Sequence, residues 1–420
     1  MKVLIRQAQI ISPSSPFNGQ SKDIFIKDGK IEKIGDAIKE KDCQVIEQHG
    51  LCVSIGWMDI FADFADPGYE HKENMETGSL AAAGGGFTDV MLLPNSNPVV
   101  DNKAQVEYIV QKARQEAVGI HPIGAVTKKA EGKELSEMYD MRQSGAIAFS
   151  DGINSIQNSG LLLKALQYVK SFGGTVIQIP DDKTIGTNGL MNEGIISTQM
   201  GLPGKPAMAE ELMVARDIKL SRYADSKLHF TGISSPKSLE YIKRAKESGI
   251  RITCSVTPYQ VFFCDEDLQQ YDTNLKVDPP LRTRADMMAI RKALKDGTID
   301  CIASHHLPQD WDCKTCEFEY AKSGMIGLET MFAALMTIGL PVNDFVQMQA
   351  INARAIFGLA VPEIKEGAMA SLTLFTPGEE YVYEESMIRS KSKNSAFIGK
   401  KLKGKVIGIV NKGKIELNKA

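Results

Sequence analysis

The sequence predicts an α/β protein built on a (β/α)8 TIM-type barrel, with a small β-sandwich domain formed from both ends of the chain. Short apolar strands alternate with amphipathic helical stretches over about 300 residues of the middle. The two ends share a strand-and-turn pattern that the middle lacks. A doubly wound open sheet would give the same alternation, but no glycine-rich dinucleotide fingerprint follows the first strand, which favours the barrel.

The two ends of the chain have a β pattern. Residues 23–26 and 30–35 alternate in period two around Asp28-Gly29, a signal for a two-residue hairpin turn. Residues 371–375, 404–408 and 410–415 have the same character. We therefore predict a composite β domain from residues 1–54 and 364–420, with the barrel spanning residues 55–363.

Six apolar runs predict strands of the barrel: residues 87–92, 146–149, 175–177, 227–230, 251–253 and 299–303. Helical spacing of apolar side chains is clearest in residues 103–116, 237–248 and 284–295. The chemistry of such barrels lies at the carboxyl ends of the strands. Candidate functional residues are therefore expected there.

Composition places the chain among ordinary globular proteins, with 43% hydrophobic and 24% charged residues. The net charge of −3 does not favour a nucleic-acid partner, and no apolar run approaches the ~20 residues of a membrane span. Seven scattered cysteines fit a reducing compartment. We expect a cytoplasmic protein with neither nucleic acid nor membrane as a partner.

Motifs along nearly the whole chain point to one family. They include Gly56-Trp57-Met58-Asp59, Pro67-Gly68, Pro94-Asn95-Ser96-Asn97-Pro98, Met191-Asn192-Glu193-Gly194, Ala209-Glu210-Glu211, Asp278-Pro279-Pro280-Leu281-Arg282 and Gly327-Leu328-Glu329-Thr330. In this order they resemble the dihydroorotases of the amidohydrolase superfamily, which hydrolyse or close a cyclic amide in pyrimidine biosynthesis. The resemblance implies a (β/α)8 barrel with a β domain from both termini, in agreement with the pattern of strands and helices.

The resemblance also implies a zinc centre that begins with a His-x-His pair after the first barrel strand. The family's six metal-ligand positions fall on Phe61, Asp63, Asp151, Ile179, Gly232 and His305. Only Asp63, Asp151 and His305 carry side chains that could coordinate a metal ion, and Asp151 alone is unchanged. His305 also takes the place of the family's catalytic aspartate. We therefore expect no metal, no cofactor and no functional catalytic residue.

Substrate positions implied by the resemblance are partly altered. Ala65 stands where the family has a substrate-binding arginine, so the guanidinium fork that would grip a carboxylate is absent. Asp278 replaces an asparagine and Gln309 a histidine. The remaining substrate-site positions keep residues that the family uses around the substrate, namely Asn95, His306 and Gly324.

The sequence is compatible with several local alternatives. Asp63, Asp151 and His305 would make a one-metal site for zinc or manganese if they converged within ~2.1 Å bonds; otherwise they line a hydrated polar cavity. His306 either binds a ligand carbonyl or hydrogen-bonds within the barrel, and the second is favoured because neighbours on a strand face opposite ways. Asp181-Asp182-Lys183 and Glu193 could form an acid/base pair, but two aspartates beside a proline and a lysine are interpreted as a turn.

Cys313 and Cys316 form the only C-x-x-C motif of the sequence. A structural zinc site needs a second pair at suitable spacing, which Cys301 alone does not supply. Flanking acids such as Asp310 would raise the thiol pKa and so oppose a redox role. We expect two free cysteines in a loop, with no assigned role.

The predicted function is that of a catalytically inactive dihydroorotase homologue that acts as a structural or regulatory partner. Noncatalytic members of the resemblance group accompany aspartate transcarbamoylase, which makes that enzyme the expected partner; a homo-oligomer, a homodimer by default, is also expected. The alternative is an active hydrolase that interconverts N-carbamoyl-L-aspartate and dihydroorotate with a rearranged zinc site. A third class is a small-molecule sensor anchored by Asn95 and His306.

Overall fold

The computed structural model describes residues 1–419, and its centre is a parallel eight-stranded sheet closed into a barrel. His306, just beyond the last strand, forms a parallel isolated bridge to Ala62 at the end of the first strand and a second one to Met325. The barrel strands are β6 (Trp57–Ala62), β7 (Phe87–Leu92), β8 (Gly119–Gly124), β9 (Ala148–Phe149), β10 (Thr175–Gln178), β13 (Lys227–Phe230), β14 (Ile252–Val256) and β15 (Cys301–Ile302). The predicted fold class is confirmed.

Eight further strands, from both ends of the chain, form a separate sheet. Strand β5 (Cys52–Ile55) lies in its middle, parallel to β1 (Lys2–Ile11) and antiparallel to β16 (Leu372–Val382). The other members are β2 (Ser21–Lys27), β3 (Lys30–Gly35), β4 (Gln44–Ile46), β17 (Lys401–Asn411) and β18 (Lys414–Leu417). The domain limits drawn at residues 54/55 and 363/364 stay predictions.

Helices fill the connections between barrel strands. They are α1 (Met75–Gly84), α2 (Lys103–Lys112), α3 (Met138–Ser144), α4 (Ser159–Lys170), α5 (Ile195–Met200), α6 (Met208–Ala224), α7 (Pro236–Glu247), α8 (Arg284–Lys295), α9 (Met331–Thr337), α10 (Val342–Val346) and α11 (Ala353–Phe357). A short two-stranded ladder joins β11 (Met191–Asn192) to β12 (Gly204–Lys205). In residues 1–419, no helix is both long and apolar enough to cross a membrane.

Local sequence explains the strongest of these elements. Thr283 caps α8, because its hydroxyl oxygen accepts a hydrogen bond from the backbone N–H of Asp286. The carboxylate of Asp286 in turn accepts one from the backbone N–H of Thr283. In the hairpin between β2 and β3, Asp28 and Gly29 have φ of 50° and 79°, as a primed two-residue turn requires. The hairpin predicted from Asp28-Gly29 is therefore confirmed.

Strand β8 was missed by the sequence prediction. Its segment carries His121 and Pro122, and a proline normally argues against a central strand because it lacks a backbone N–H. The strand nevertheless pairs with β7 on one side and β9 on the other. Tertiary pairing overrides the local propensity here.

An aromatic cluster joins the barrel to the terminal sheet. The fully buried ring of Trp57, at the start of β6, lies 4.9 Å from Phe332, 4.8 Å from Phe345 and 5.2 Å from Phe375 between ring centroids. Because Phe375 belongs to β16 and Trp57 to the barrel, this apolar contact fixes one unit against the other.

Candidate functional site

Two of the six family ligand positions contact each other at the carboxyl end of the barrel strands. Phe61, on β6, is fully buried, and its ring stacks on the imidazole of His305 with centroids 4.4 Å apart and planes 29° apart. Ile179 belongs to the same buried apolar cluster as Phe61. Neither a phenyl ring nor an alkyl chain has a lone pair for a metal ion. This part of the mouth is apolar.

His305 is buried and uncharged, and of its two ring nitrogens only Nε2 has a hydrogen-bond partner within residues 1–419. Its Nε2 lies 2.8 Å from Thr231 Oγ1, and burial lowers its pKa to about 3. The contact continues inward, since Ser255 Oγ donates to Thr231 Oγ1 at 2.9 Å and contacts His229 Nε2 at 3.1 Å. Burial also lowers the pKa of His229 to about 3. A chain of neutral imidazoles and hydroxyls therefore runs through the barrel.

Gly232 leaves the space that His305 occupies. It has φ +72°, and a Cβ atom there would lie 2.8 Å from His305 Cε1 and 3.2 Å from Pro279 Cδ. A histidine at position 232, as in the family, would collide with the imidazole of His305. The two departures from the family pattern are therefore sterically linked.

The two carboxylates among the six positions are engaged separately. Asp63 Oδ1 accepts from the Ala65 N–H at 2.7 Å, and burial raises the pKa of Asp63. Asp151 accepts from the N–H and the hydroxyl of Thr127 at 2.9 and 2.5 Å, and burial raises its pKa to about 6. Within residues 1–419, no group of three or more histidines, cysteines, aspartates and glutamates is arranged to hold a metal ion. The hypothesis of a one-metal site on Asp63, Asp151 and His305 receives no support from their positions.

Most of the substrate-site positions are engaged by neighbouring protein groups. Asn95 donates to Asp151 O and accepts from the Ile153 N–H, both at 3.1 Å. Gln309 accepts from Lys72 Nζ at 3.1 Å and donates to Ser323 O at 3.0 Å. Ala65 is buried in an Asx-type turn, and a Cβ on Gly324 would lie 2.9 Å from Leu307 Cβ. The side chains of Asn95 and Gln309 therefore support loops, and the chain packs closely at Gly324.

His306 is fully buried, and one of its ring nitrogens is hydrogen-bonded. Its Nδ1 accepts from the Gly327 N–H at 3.3 Å, and its Nε2 lies 3.5 Å from Glu73 Oε2. Glu73 in turn accepts from the backbone N–H of Lys391 at 3.1 Å. Within residues 1–419, Nε2 has no hydrogen-bond partner, so the imidazole joins the segment after β15 to the Gly327 backbone through Nδ1 alone. Of the two sensor anchors, Asn95 is engaged at both ends of its amide and His306 at one ring nitrogen.

Sequence reasoning missed a charged group at the mouth, which we name the lysine–aspartate quartet: Asp181, Lys183, Lys205 and Asp278. Lys205 Nζ lies 2.8 Å from Asp181 Oδ2 and 2.7 Å from Asp278 Oδ1, and Lys183 Nζ lies 2.6 Å from Asp181. Burial alone would raise the pKa of Asp278, but the two ammonium groups hold it below its ordinary value. Asp278, a predicted substrate position, is thus bound by the chain's own lysine.

Retained motif residues form a buried network beside the quartet. Arg282 donates to Asn192 Oδ1 and to Lys205 O, both at 3.0 Å, and to Ser234 Oγ at 3.0 Å. Glu210 accepts from the Ser234 N–H at 3.1 Å. The motifs that survive in this chain therefore hold its loops together.

The comparisons with known proteins place the chain in a family. A family model described as Dihydro-orotase-like matches residues 51–238. A dihydroorotase of Syntrophus aciditrophicus is 39% identical over 422 residues, covering 99% of both chains. One from Acetivibrio thermocellus is 40% identical over 410 residues, covering 96% of both. The chain belongs to the dihydroorotase family.

Solved structures agree on the fold. An L-hydantoinase (dihydropyrimidinase) from Arthrobacter aurescens superposes with a TM-score of 0.87 at 20% identity, covering 100% of this chain and 96% of that chain. A D-hydantoinase gives a TM-score of 0.83, also at 20% identity, over 100% and 95% of the two chains. At such identity the likeness concerns the barrel architecture alone.

In this dihydroorotase-family chain, Cys313 and Cys316 are partly buried free thiols, as expected. Cys316 Sγ lies 3.8 Å from Cys313 O. Asp310, through its hydrogen bond with the Cys313 thiol, raises the pKa of that thiol. The prediction that flanking acids disfavour the thiolate is confirmed for Cys313.

Proposed function

We propose that this chain is a dihydroorotase homologue that does not hydrolyse or close the cyclic amide in its own barrel. The observation that carries the proposal is the stack of Phe61 on His305, at 4.4 Å between ring centroids. It occupies two positions where the family resemblance implies metal ligands. Phe61 contributes no donor atom and covers one face of His305, which is the only nitrogen donor of the pair.

The whole donor set fails to fit a two-metal centre. Ile179 and Gly232 offer no donor atom, and the oxygens of Asp151 are hydrogen-bonded to Thr127. Each missing ligand lowers metal affinity, because ligand number and identity determine the site. These residues therefore provide no route to metal-assisted hydrolysis.

The role proposed in place of catalysis is that of a cytoplasmic structural or regulatory partner in pyrimidine biosynthesis, as part of a homo-oligomer. Aspartate transcarbamoylase is the proposed partner, on the ground that noncatalytic members of the resemblance group accompany it. Support comes from the buried network of Glu210, Asn192 and Arg282, which keeps the loops around the barrel mouth in place. A surface built on such loops stays available to a partner after the chemistry is lost.

A second candidate is an active dihydroorotase with a rearranged zinc site. The names of the relatives favour it over the first candidate, since chains 38–40% identical over nearly their full length are called dihydroorotase. Asp63, Asp151 and His305 would then supply the ligands, after Asp151 releases Thr127. The side chains at the six ligand positions favour the first candidate.

Metal content and turnover decide between the two candidates. The chain is purified in zinc-containing medium, assayed for bound metal, and tested with dihydroorotate and with N-carbamoyl-L-aspartate. We expect less than stoichiometric zinc and no turnover. Stoichiometric zinc with turnover of ~1 s⁻¹, within the usual enzyme range, would establish the active enzyme. The relative from Acetivibrio thermocellus, prepared in parallel, controls for the assay.

The partnership has its own test. The chain is mixed with the aspartate transcarbamoylase of the same organism and separated by size-exclusion chromatography with light scattering. A shared peak of defined stoichiometry is expected. Separate elution at concentrations of about 10 μM, above the Kd of a stable complex, would reject the partnership without bearing on catalysis.

A further inference from the structure

A cavity of about 660 Å³ lies away from the barrel mouth. Helices α1 and α9 of the barrel form one wall, and strands β16, β17 and β18 of the terminal sheet form the other. Sites for small molecules usually have volumes of roughly 300–1,000 Å³ and often form where two structural units meet. Size and position are therefore those of a ligand site.

The residues that line the cavity include Tyr383, whose hydroxyl is buried and has no partner in the part of the chain that the structure describes. Tyr383 is 3% exposed, and within residues 1–419 its Oη has no hydrogen-bond partner. Buried polar groups in proteins are nearly always hydrogen-bonded, so an orphaned hydroxyl is an observation that needs a partner. A ligand atom that accepts a hydrogen bond would supply it.

Charges of both signs line the same cavity. Arg389 donates to the uncharged carbonyl of Leu417, so its positive charge is left for a ligand. Glu329 accepts from the backbone N–H of Arg389 at 2.8 Å and of Ser390 at 3.1 Å, and burial raises its pKa to about 7. Each carboxylate oxygen can accept a second hydrogen bond. Glu416 adds another carboxylate to the lining.

We propose that this cavity binds an α-amino acid with an apolar side chain. The carboxylate of the amino acid would accept from Tyr383 and Arg389, and its ammonium group would donate to Glu329 and Glu416. Its side chain would lie against the apolar part of the lining, formed by Leu80, Ala333 and Val406. Charge-assisted hydrogen bonds to both ends of a zwitterion discriminate it from simple acids and amines.

The test is isothermal calorimetry on the full chain with L-leucine, L-methionine and L-phenylalanine. For each amino acid that binds, the analogue without the amino group (for leucine, 4-methylpentanoate) and the analogue without the carboxylate (3-methylbutylamine) are titrated too. At least one amino acid is expected to bind. Both of its analogues are expected to bind about tenfold or more weakly, because each loses a charged hydrogen bond.

Two variants connect binding to this cavity. Tyr383→Phe and Glu416→Gln should each weaken binding about fivefold, the effect of one lost hydrogen bond. Tyr383→Phe should not lower the melting temperature of the free protein, because the deleted oxygen has no partner there. Tyr223→Phe, at an exposed position on α6, is the matched control and should leave binding unchanged.

Four results would overturn the proposal: no binding of any of the three amino acids at about 10 mM, an analogue that binds as well as its amino acid, unchanged affinity in Tyr383→Phe or Glu416→Gln, or a fall in melting temperature on Tyr383→Phe. The last would mean that the Tyr383 hydroxyl is hydrogen-bonded within the free protein. None of these measurements depends on whether the barrel is catalytic.

Discussion

A Cβ atom on Gly232 would lie 2.8 Å from Cε1 of His305, closer than side-chain atoms pack in proteins. The imidazole cannot retreat, because Phe61 stacks on it and Thr231 binds its Nε2. Restoring the family's histidine at position 232 therefore requires His305 to be replaced first. The altered mouth is a set of mutually adapted residues.

The first prediction concerns this contact. Gly232→Ala should lower the free energy of unfolding by about 2–4 kcal/mol, since it adds overpacking to the strain of a left-handed φ. In a His305→Ala background the same change should cost about 1–2 kcal/mol. Urea denaturation of the four proteins of this double-mutant cycle measures the difference.

Gly249 provides the control, with φ +76° and no atom within 4 Å of a Cβ. Gly249→Ala should cost about 1–2 kcal/mol in either background, from backbone strain alone. Equal costs at Gly232 and Gly249 would contradict the steric link.

The second prediction concerns pH. Burial lowers the pKa of His229 and His305 to about 3, so both stay neutral in the folded protein, whereas the unfolded chain takes up these protons below about pH 6.5. The stabilising contribution of each is therefore complete above pH 6.5 and declines toward pH 3. Nuclear magnetic resonance of the imidazoles should find both rings uncharged at pH 5.

A stability measurement isolates one of the two rings. The advantage of the wild type over His229→Gln should shrink by up to about 1.4 kcal/mol for each pH unit below 6.5, because glutamine does not titrate. Protonation of His229 above pH 5.5 would refute the assignment.

The third prediction concerns the lysine–aspartate quartet. Asp278→Asn removes one of the two carboxylates that hold Lys205, whose side chain is only 12% exposed. We expect the free energy of unfolding to fall by about 1–2 kcal/mol, because a partly desolvated ammonium loses a partner. Thermal unfolding at low and high salt measures this change in the free energy of unfolding.

Glu131→Gln breaks an exposed ion pair with Lys133 and is the matched control. It should change stability by less than about 0.5 kcal/mol. A similar small effect at both sites would show that the quartet is no stronger than a surface pair.

The fourth prediction concerns the network of retained motif residues. Arg282→Lys cannot reproduce the bonds to Asn192, Ser234 and Lys205 O, and should lower the free energy of unfolding by about 3 kcal/mol or more. Arg284→Lys, at an exposed position two residues away, should have almost no effect. Denaturation midpoints compare the two, and matching midpoints would contradict the structural role.

The sequence predicted the barrel, the terminal hairpin and the absence of ligand atoms at Phe61, Ile179 and Gly232, because these depend on local pattern or on residue type alone. It could not predict the quartet. Lys205 is separated from Asp181 by 24 residues and from Asp278 by 73, and only the closed barrel brings these three residues together.

The contact of Gly232 with His305 could not be predicted either, because a glycine in a sequence does not reveal which side chain occupies the space beside it. Strand β8 was missed for a different reason. Pro122 suggests a break in the strand, but pairing with the two neighbouring strands keeps the segment extended. Local propensity does not predict a strand whose formation depends on pairing with residues distant in the sequence.

The placement of β5 between β1 and β16 has a consequence for folding during synthesis. Residues 2–11 and 52–55 leave the ribosome early, but residues 372–382 follow only after the entire barrel has been made. The edge of Cys52–Ile55 that pairs with β16 is therefore unpaired during translation. An unpaired strand edge of this kind promotes aggregation. A chaperone that shields this flank until synthesis ends would meet the need that the topology creates.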